Sequence, residues 1–326
     1  MHDVGYFNIY RCMKLRPMEI KRREVRRLGA DLLLLCVTFF WGVTFVVVKD
    51  AIAKVGVFVF LSQRFILASI ILLCVCLVLR RPLTMRFLKQ GVTLGIFLFG
   101  GYAFQTIALL YTSASNTAFL TGLNVVFVPI IGAMIFRQVV TRSMKTGVVL
   151  ATVGLFFLCT NGTWSFNGGD ILAGLCAVCI ALHVIFTGEY ARKSDIYWLT
   201  VVQLGTVALF SVVVALFLGD SGSIFVWYPN IVWALVICVL LATVFAFLIQ
   251  TSMQRFTSPT HTALIFCMEP VFAAAFAYVM IHERWGVWGL IGAVLILAGM
   301  VVSEISSINF FFMKKPEDTY TSIVKT

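Results

Sequence analysis

The chain has 326 residues, 61% of them hydrophobic and 12% charged, with a mean hydropathy of +1.00. A soluble domain carries roughly a quarter charged residues, so this composition excludes one and indicates an integral membrane protein. The net charge of +11 does not mark a nucleic-acid partner: eight of the 25 basic residues fall in RCMKLRPMEIKRREVRR (11–27), and nearly all the rest fall in short gaps between apolar runs.

Taken in order, residues 1–28 read as a basic cytoplasmic tail without the cleavage site of a signal peptide. The first apolar run, 32–48, holds Trp41, and the second, 56–79, carries Arg64. The third, 92–111, holds Tyr102 and Gln105; only YTSASNT separates it from the fourth, 114–136, with Asn124 and Pro129. The fifth, 146–161, is short, and the sixth, 171–190, contains His183 and ends at Glu189. The seventh is 198–218, and the eighth, 231–253, contains Gln250. The ninth, 259–281, is interrupted by Glu269 and Pro270; the tenth is 286–304, and residues 305–326 form a second tail. Each run is near the ~17–25 residues that cross a hydrocarbon core. Their continuous rather than alternating character predicts helices, not a barrel. Of nine cysteines, eight lie in apolar runs. CVC (74–76) and CAVC (176–179) resemble redox or metal spacings, but in hydrocarbon they read as small apolar fillers, so no metal and no cofactor is expected.

Ten spans with the basic tail inside place 21 basic residues in cytoplasmic segments and leave Lys49, Lys54 and Arg284 outside. That split obeys the positive-inside rule in every inner connection and puts both termini in the cytoplasm.

The two halves also match each other. At an offset of 145, Gln105 meets Gln250, Thr117–Ala118 meets Thr262–Ala263, Gly147 meets Gly292, and Gly154 meets Gly299. Earlier, at an offset of 139, Asp31 meets Asp170. Five spans is an odd number, so the second half enters the membrane in the opposite sense. An inverted repeat of this kind suits a transporter that opens to either side in turn.

The segments TFFWGVTFVVVK, SQRFILASIILL, NTAFLTGLNVVFVPIIGAMIF and HTALIFCMEPVFAAAFAYVMIHERWGVWGLIGAVLILAGMVV resemble the two EamA-type repeats of the drug/metabolite transporter superfamily. The likeness covers about residues 30–304 and is most specific at Trp41–Gly42, Arg64–Phe65, Glu269–Pro270 and Glu283. It implies an all-α integral membrane fold of ten transmembrane helices, with one five-helix repeat at 29–161 and an inverted second at 170–304. It further implies a central cavity and outward movement of small metabolites. One departure is Gln138, where the second half has Glu283.

Glu269 lies about ten residues, roughly 15 Å of helix rise, from either end of its span. A carboxylate at that depth is by default a functional residue, and it could also serve coupling. Arg64 either pairs with a substrate carboxylate or with Glu269, or snorkels to anchor its helix. Pro270 and Pro129 are expected to kink their spans. Gln105, Gln250 and Asn124 are candidate substrate contacts, Asn124 because the offset places it opposite Glu269. Trp41 and Tyr102 are candidates for the aromatic wall, and His183 for a hydrated ligand. The glycines at 147, 154, 292 and 299 predict close helix contact, either a seam within the chain or a dimer face, so a homo-oligomer stays open.

An intramembrane enzyme would need a motif such as HExxH or GxSxG, which the sequence lacks, and GDSG (219–222) sits in a short loop. A channel would show a charged ring or a repeated filter. The expectation is therefore a non-enzymatic secondary transporter in a bacterial inner membrane. It exports small metabolites such as amino acids by rocking of the two halves, with multidrug or amine efflux as the alternative. A channel or a non-transporting membrane protein ranks below both.

Overall fold

Apolar runs bounded by Gly, Pro and capping residues fold here as helices, because a chain in lipid must satisfy its backbone groups internally. The computed structural model describes residues 25–44, 48, 51–52, 54–112, 114–160, 167–219, 229–281 and 286–313. Among them every regular element is helical. The helices are α1 (Val25–Thr44), α2 (Val57–Val78), α3 (Met85–Tyr111), α4 (Ala114–Gly122), α5 (Asn124–Phe136), α6 (Arg142–Thr160) and α7 (Gly168–Ala191). They continue as α8 (Ile196–Phe217), α9 (Pro229–Val239), α10 (Ala246–Met253), α11 (Pro259–Phe266), α12 (Met268–Ile281) and α13 (Val287–Met313). A π-helical turn, Leu240–Phe245, joins α9 to α10. Eight helical stretches among the described residues are long and apolar enough to cross a membrane.

Helix ends follow local chemistry. Gly56, at φ 80°, opens α2. Asn167 and Asp170 form a reciprocal capping box at the start of α7. The Asp195 carboxylate accepts from the amides of Tyr197 and Trp198 at 3.0 and 3.1 Å to start α8. Two boundaries differ from the sequence expectation. α1 is already helical at Val25, the first described residue, because hydropathy marks where lipid starts while the helix includes Arg26 and Arg27. α13 runs on to Met313, with no Gly or Pro to stop it before Pro316. Glu283 and the GDSG residues after Gly219 lie outside the described residues.

The packing fixes which helices surround the site. α6 lies on α13, α2 on α8, and α3 on both α7 and α8. One apolar core is built from α2, α3, α8, α9 and α10. A second joins α4 to α7 with α11, α12 and α13. Trp41 packs against both. Neither core follows the halves of the sequence, since α6–α13 and α2–α8 each unite one helix from either half. The glycine face is a seam within the chain: a Cβ on Gly147 would lie 2.6 Å from the Gly299 carbonyl oxygen, and one on Gly154 would lie 2.7 Å from that of Gly292. Backbones approach that closely only where side chains are absent.

Candidate functional site

The site begins at two single-residue irregularities in helical runs. Leu123 lies between α4 and α5, and Cys267 between α11 and α12, both with right-handed helical backbone angles, and Thr117–Phe136 still counts as one membrane-crossing stretch. Asn124 is thus the first residue of α5, and Glu269 the second of α12. Pro270 accounts for the second irregularity: it has no N–H for the carbonyl four residues back, that of Phe266, where α11 ends. In the first turn of the new helix a proline is tolerated, and the helix N-terminus favours a carboxylate there. Pro270 thus follows the irregularity at Cys267 directly, while Pro129 lies buried inside α5.

Gly42 brings α1 onto this turn. A Cβ there would sit 2.7 Å from the Glu269 carbonyl oxygen and 2.9 Å from the Ala273 nitrogen, so only glycine lets the backbones meet. The neighbouring Trp41 then reaches across to donate Nε1–H to the Ala242 carbonyl at 3.0 Å, with its ring against Phe247 and Phe266.

Arg64 meets the same carbonyl from α2. Its Nη2 donates to Ala242 O at 3.1 Å and to Tyr102 Oη at 3.4 Å, and its Nε donates to Thr243 Oγ1 at 2.7 Å. The guanidinium also lies 5.3 Å from the Tyr102 ring centre. At 4% exposure Arg64 is held inside the protein, which removes the snorkelling reading. The ion pairs found among the described residues do not join Arg64 to Glu269, yet the two are near enough for their charges to interact. Tyr102 feels both charges as well.

Trp41, Arg64, Tyr102 and Glu269 are thus brought together from α1, α2, α3 and α12. His183 borders the group through Phe247, with ring centres 6.1 Å apart. It is 2% exposed, with Nε2 2.8 Å from Gln203 Oε1. Gln203 Nε2 in turn donates to Thr251 Oγ1 at 3.3 Å, tying α7, α8 and α10. Asn124 is half-buried and turns its amide back to Thr121 O at 2.8 Å, leaving Oδ1 without a partner. Gln250 is buried, its Oε1 also unpartnered. Gln105 is half-buried. These three are not drawn into the Arg64 group by any hydrogen bond found among the described residues.

The sequence reading missed Thr243 and the Ala242 carbonyl. A buried arginine must find acceptors somewhere, and the threonine in LLATVFAF is the only hint of where. It also missed Asp31 and His261 as a pair. His261 Nε2 lies 3.3 Å from Asp31 Oδ2 between α11 and α1, and Arg27 Nε is 3.9 Å from the same oxygen. His261→Ala is expected to lower stability by about 1–3 kcal/mol, because a largely buried carboxylate loses a partner. Adding Asp31→Asn should recover much of that loss; strictly additive losses in detergent melting temperatures would refute the pairing.

Ionisable side chains buried among the helices of a membrane protein mark a functional site by default. The sequence profile of the EamA-like transporter family matches residues 28–160 and again 167–305, and the chain belongs to that family. An uncharacterized transporter of Archaeoglobus fulgidus is 34% identical over 278 residues, covering 85% of this chain and 86% of its own length. A Salmonella typhimurium protein named "Probable amino-acid metabolite efflux pump" is 24% identical, with 83% of this chain and 93% of that protein covered. A solved crystal structure at 17% identity superposes with a TM-score of 0.73, over 85% of this chain and 98% of its own, and so shares the fold.

Proposed function

We propose that this protein is a secondary transporter that exports small metabolites, amino acids or related zwitterions, by alternating access. In this reading ten helical units cross a bacterial inner membrane as two inverted five-helix repeats, with both termini in the cytoplasm. The repeat is supported by the glycine seam. Gly147 meets Gly299 and Gly154 meets Gly292, and the 145-residue offset exchanges one contact for the other. The moving bodies are better taken as the two apolar cores than as the sequence halves, because separating the halves would pull α6 from α13 and α2 from α8.

One observation carries the substrate class. No hydrogen bond found among the described residues reaches Arg64 Nη1 or the half-buried Glu269 carboxylate. A cation donor and an anion acceptor thus face one site without neutralising each other directly. A zwitterion presents the complementary pair: its carboxylate suits the guanidinium fork and its ammonium suits Glu269. Gln105, Asn124 and Gln250 would recognise the rest of the molecule, and Trp41 and Tyr102 would wall it. The runner-up is amine efflux, favoured by the aromatic rings of Trp41, Phe247 and Phe266 and by the three bonds that already engage Arg64.

The test is counterflow in proteoliposomes with labelled L-leucine, L-threonine and L-phenylalanine, competed by their decarboxylated amines and by the matching carboxylic acids, with and without an imposed pH gradient. Saturable exchange of an amino acid is expected, each single-charge analogue competing about tenfold or more weakly, since one charged hydrogen bond is worth about 1.5–3 kcal/mol. Amines that compete as well as the amino acids would move the assignment to amine efflux. Absence of saturable exchange across the whole panel would overturn the substrate class.

A further inference from the structure

The π-helical turn deserves a role of its own. A regular α-helix sends each carbonyl to the amide four residues on and leaves little room for a second donor. At Leu240–Phe245 the spacing widens: the Ala246 amide reaches Leu241 O, and the Thr243 hydroxyl donates to Cys238 O at 2.8 Å, both steps of five residues. Such turns let side chains enter the helical ladder, and they recur at functional sites. Here two side chains enter from different helices and share the Ala242 carbonyl, Trp41 from α1 and Arg64 from α2.

We propose that Thr243 is the positioning residue for Arg64, selecting which guanidinium nitrogen faces the substrate. The geometry leaves few alternatives. The hydroxyl spends its proton on Cys238 O, so its lone pairs are turned to accept from Arg64 Nε at 2.7 Å. With Nε held by Thr243 and Nη2 held by Ala242 O and Tyr102, the planar fork cannot rotate, and Nη1 is the nitrogen presented. Thr243 touches no substrate in this arrangement. It acts through Arg64, and it should therefore matter for carboxylate-bearing substrates and not for amines. The assignment rests on the reading of Arg64 as the carboxylate ligand for its transport consequence, though not for the conformational one.

Two measurements on the full-length protein separate those parts. In counterflow, Thr243→Val, which keeps the shape and deletes the hydroxyl, is expected to raise KM for the best-exchanged labelled amino acid about tenfold, the factor for one charged hydrogen bond near 1.4 kcal/mol. The maximal rate should stay near wild type, Thr243→Ser should restore KM, and inhibition by the decarboxylated amine should not change. Independently of transport, phenylglyoxal labelling of Arg64 is followed by peptide mass spectrometry. This reagent needs both Nη atoms, so Arg64 should label slowly in wild type and Thr243→Ser, and about tenfold faster in Thr243→Val. If Thr243→Val elutes as aggregate, Thr243→Ala takes its place. Wild-type labelling rates in the Val or Ala variant, or a Ser variant that behaves like Val, would overturn the positioning role. Faster labelling with an unchanged KM would uphold the positioning of Arg64 and refute its contact with substrate.

Discussion

Glu269→Gln is expected to be recovered in wild-type yield and to elute as wild type does, yet to lose roughly tenfold to a hundredfold of amino-acid exchange, the range for one lost charged contact. The side chain keeps its size and its place in the first turn of α12. The turn at Cys267 depends on Pro270, and the contact of Gly42 is with the Glu269 backbone oxygen, so neither is touched. What changes is the charge. If Glu269 also carries a coupling proton, the mutant's residual exchange should no longer respond to an imposed pH gradient. Asn124→Ala is expected to weaken exchange by a smaller factor, since it removes a neutral group from the start of α5. Normal folding and normal exchange in both variants would remove Glu269 and Asn124 from the mechanism.

The helices were legible because lipid imposes a simple requirement, a continuous apolar run, and because basic residues crowd the gaps between runs. The irregular turns were only half legible. Pro270 announces the one at Cys267, but nothing in GLNVV marks the one at Leu123. The π-turn was invisible, since one widened turn changes neither composition nor period. Arg64 shows the same limit at the site. Its depth in an apolar run flagged it, but its partners are Tyr102, a threonine 179 residues away and a backbone carbonyl 178 residues away. No local pattern encodes such a pairing. His183 was flagged by the same logic, and a buried amide, Gln203, meets its ring at 2.8 Å. A polar side chain deep in an apolar run therefore signals a partner, while the identity of that partner is a property of the fold.

The glycine seam supplies the largest stability effect. Gly147→Ala combined with Gly154→Ala is expected to destabilise the protein by more than either change alone, each costing about 1–3 kcal/mol as overpacking does. The new methyl groups would meet backbone: the Gly299 oxygen at 2.6 Å for one, and the Gly292 oxygen at 2.7 Å with the Ile296 nitrogen at 2.9 Å for the other. Backbone cannot rotate out of the way as a side chain can, so α6 must move off α13, and the second apolar core opens with it. Gly205→Ala is the control. It lies within α8 with nothing within 4 Å of the added Cβ, and there alanine should stabilise by about 0.5–1 kcal/mol through backbone entropy. Melting temperatures in detergent should therefore move in opposite directions for the two sites. A seam that tolerated both alanines would mean that α6 and α13 slide freely past each other, and the contact could not then hold the two sequence halves together during transport.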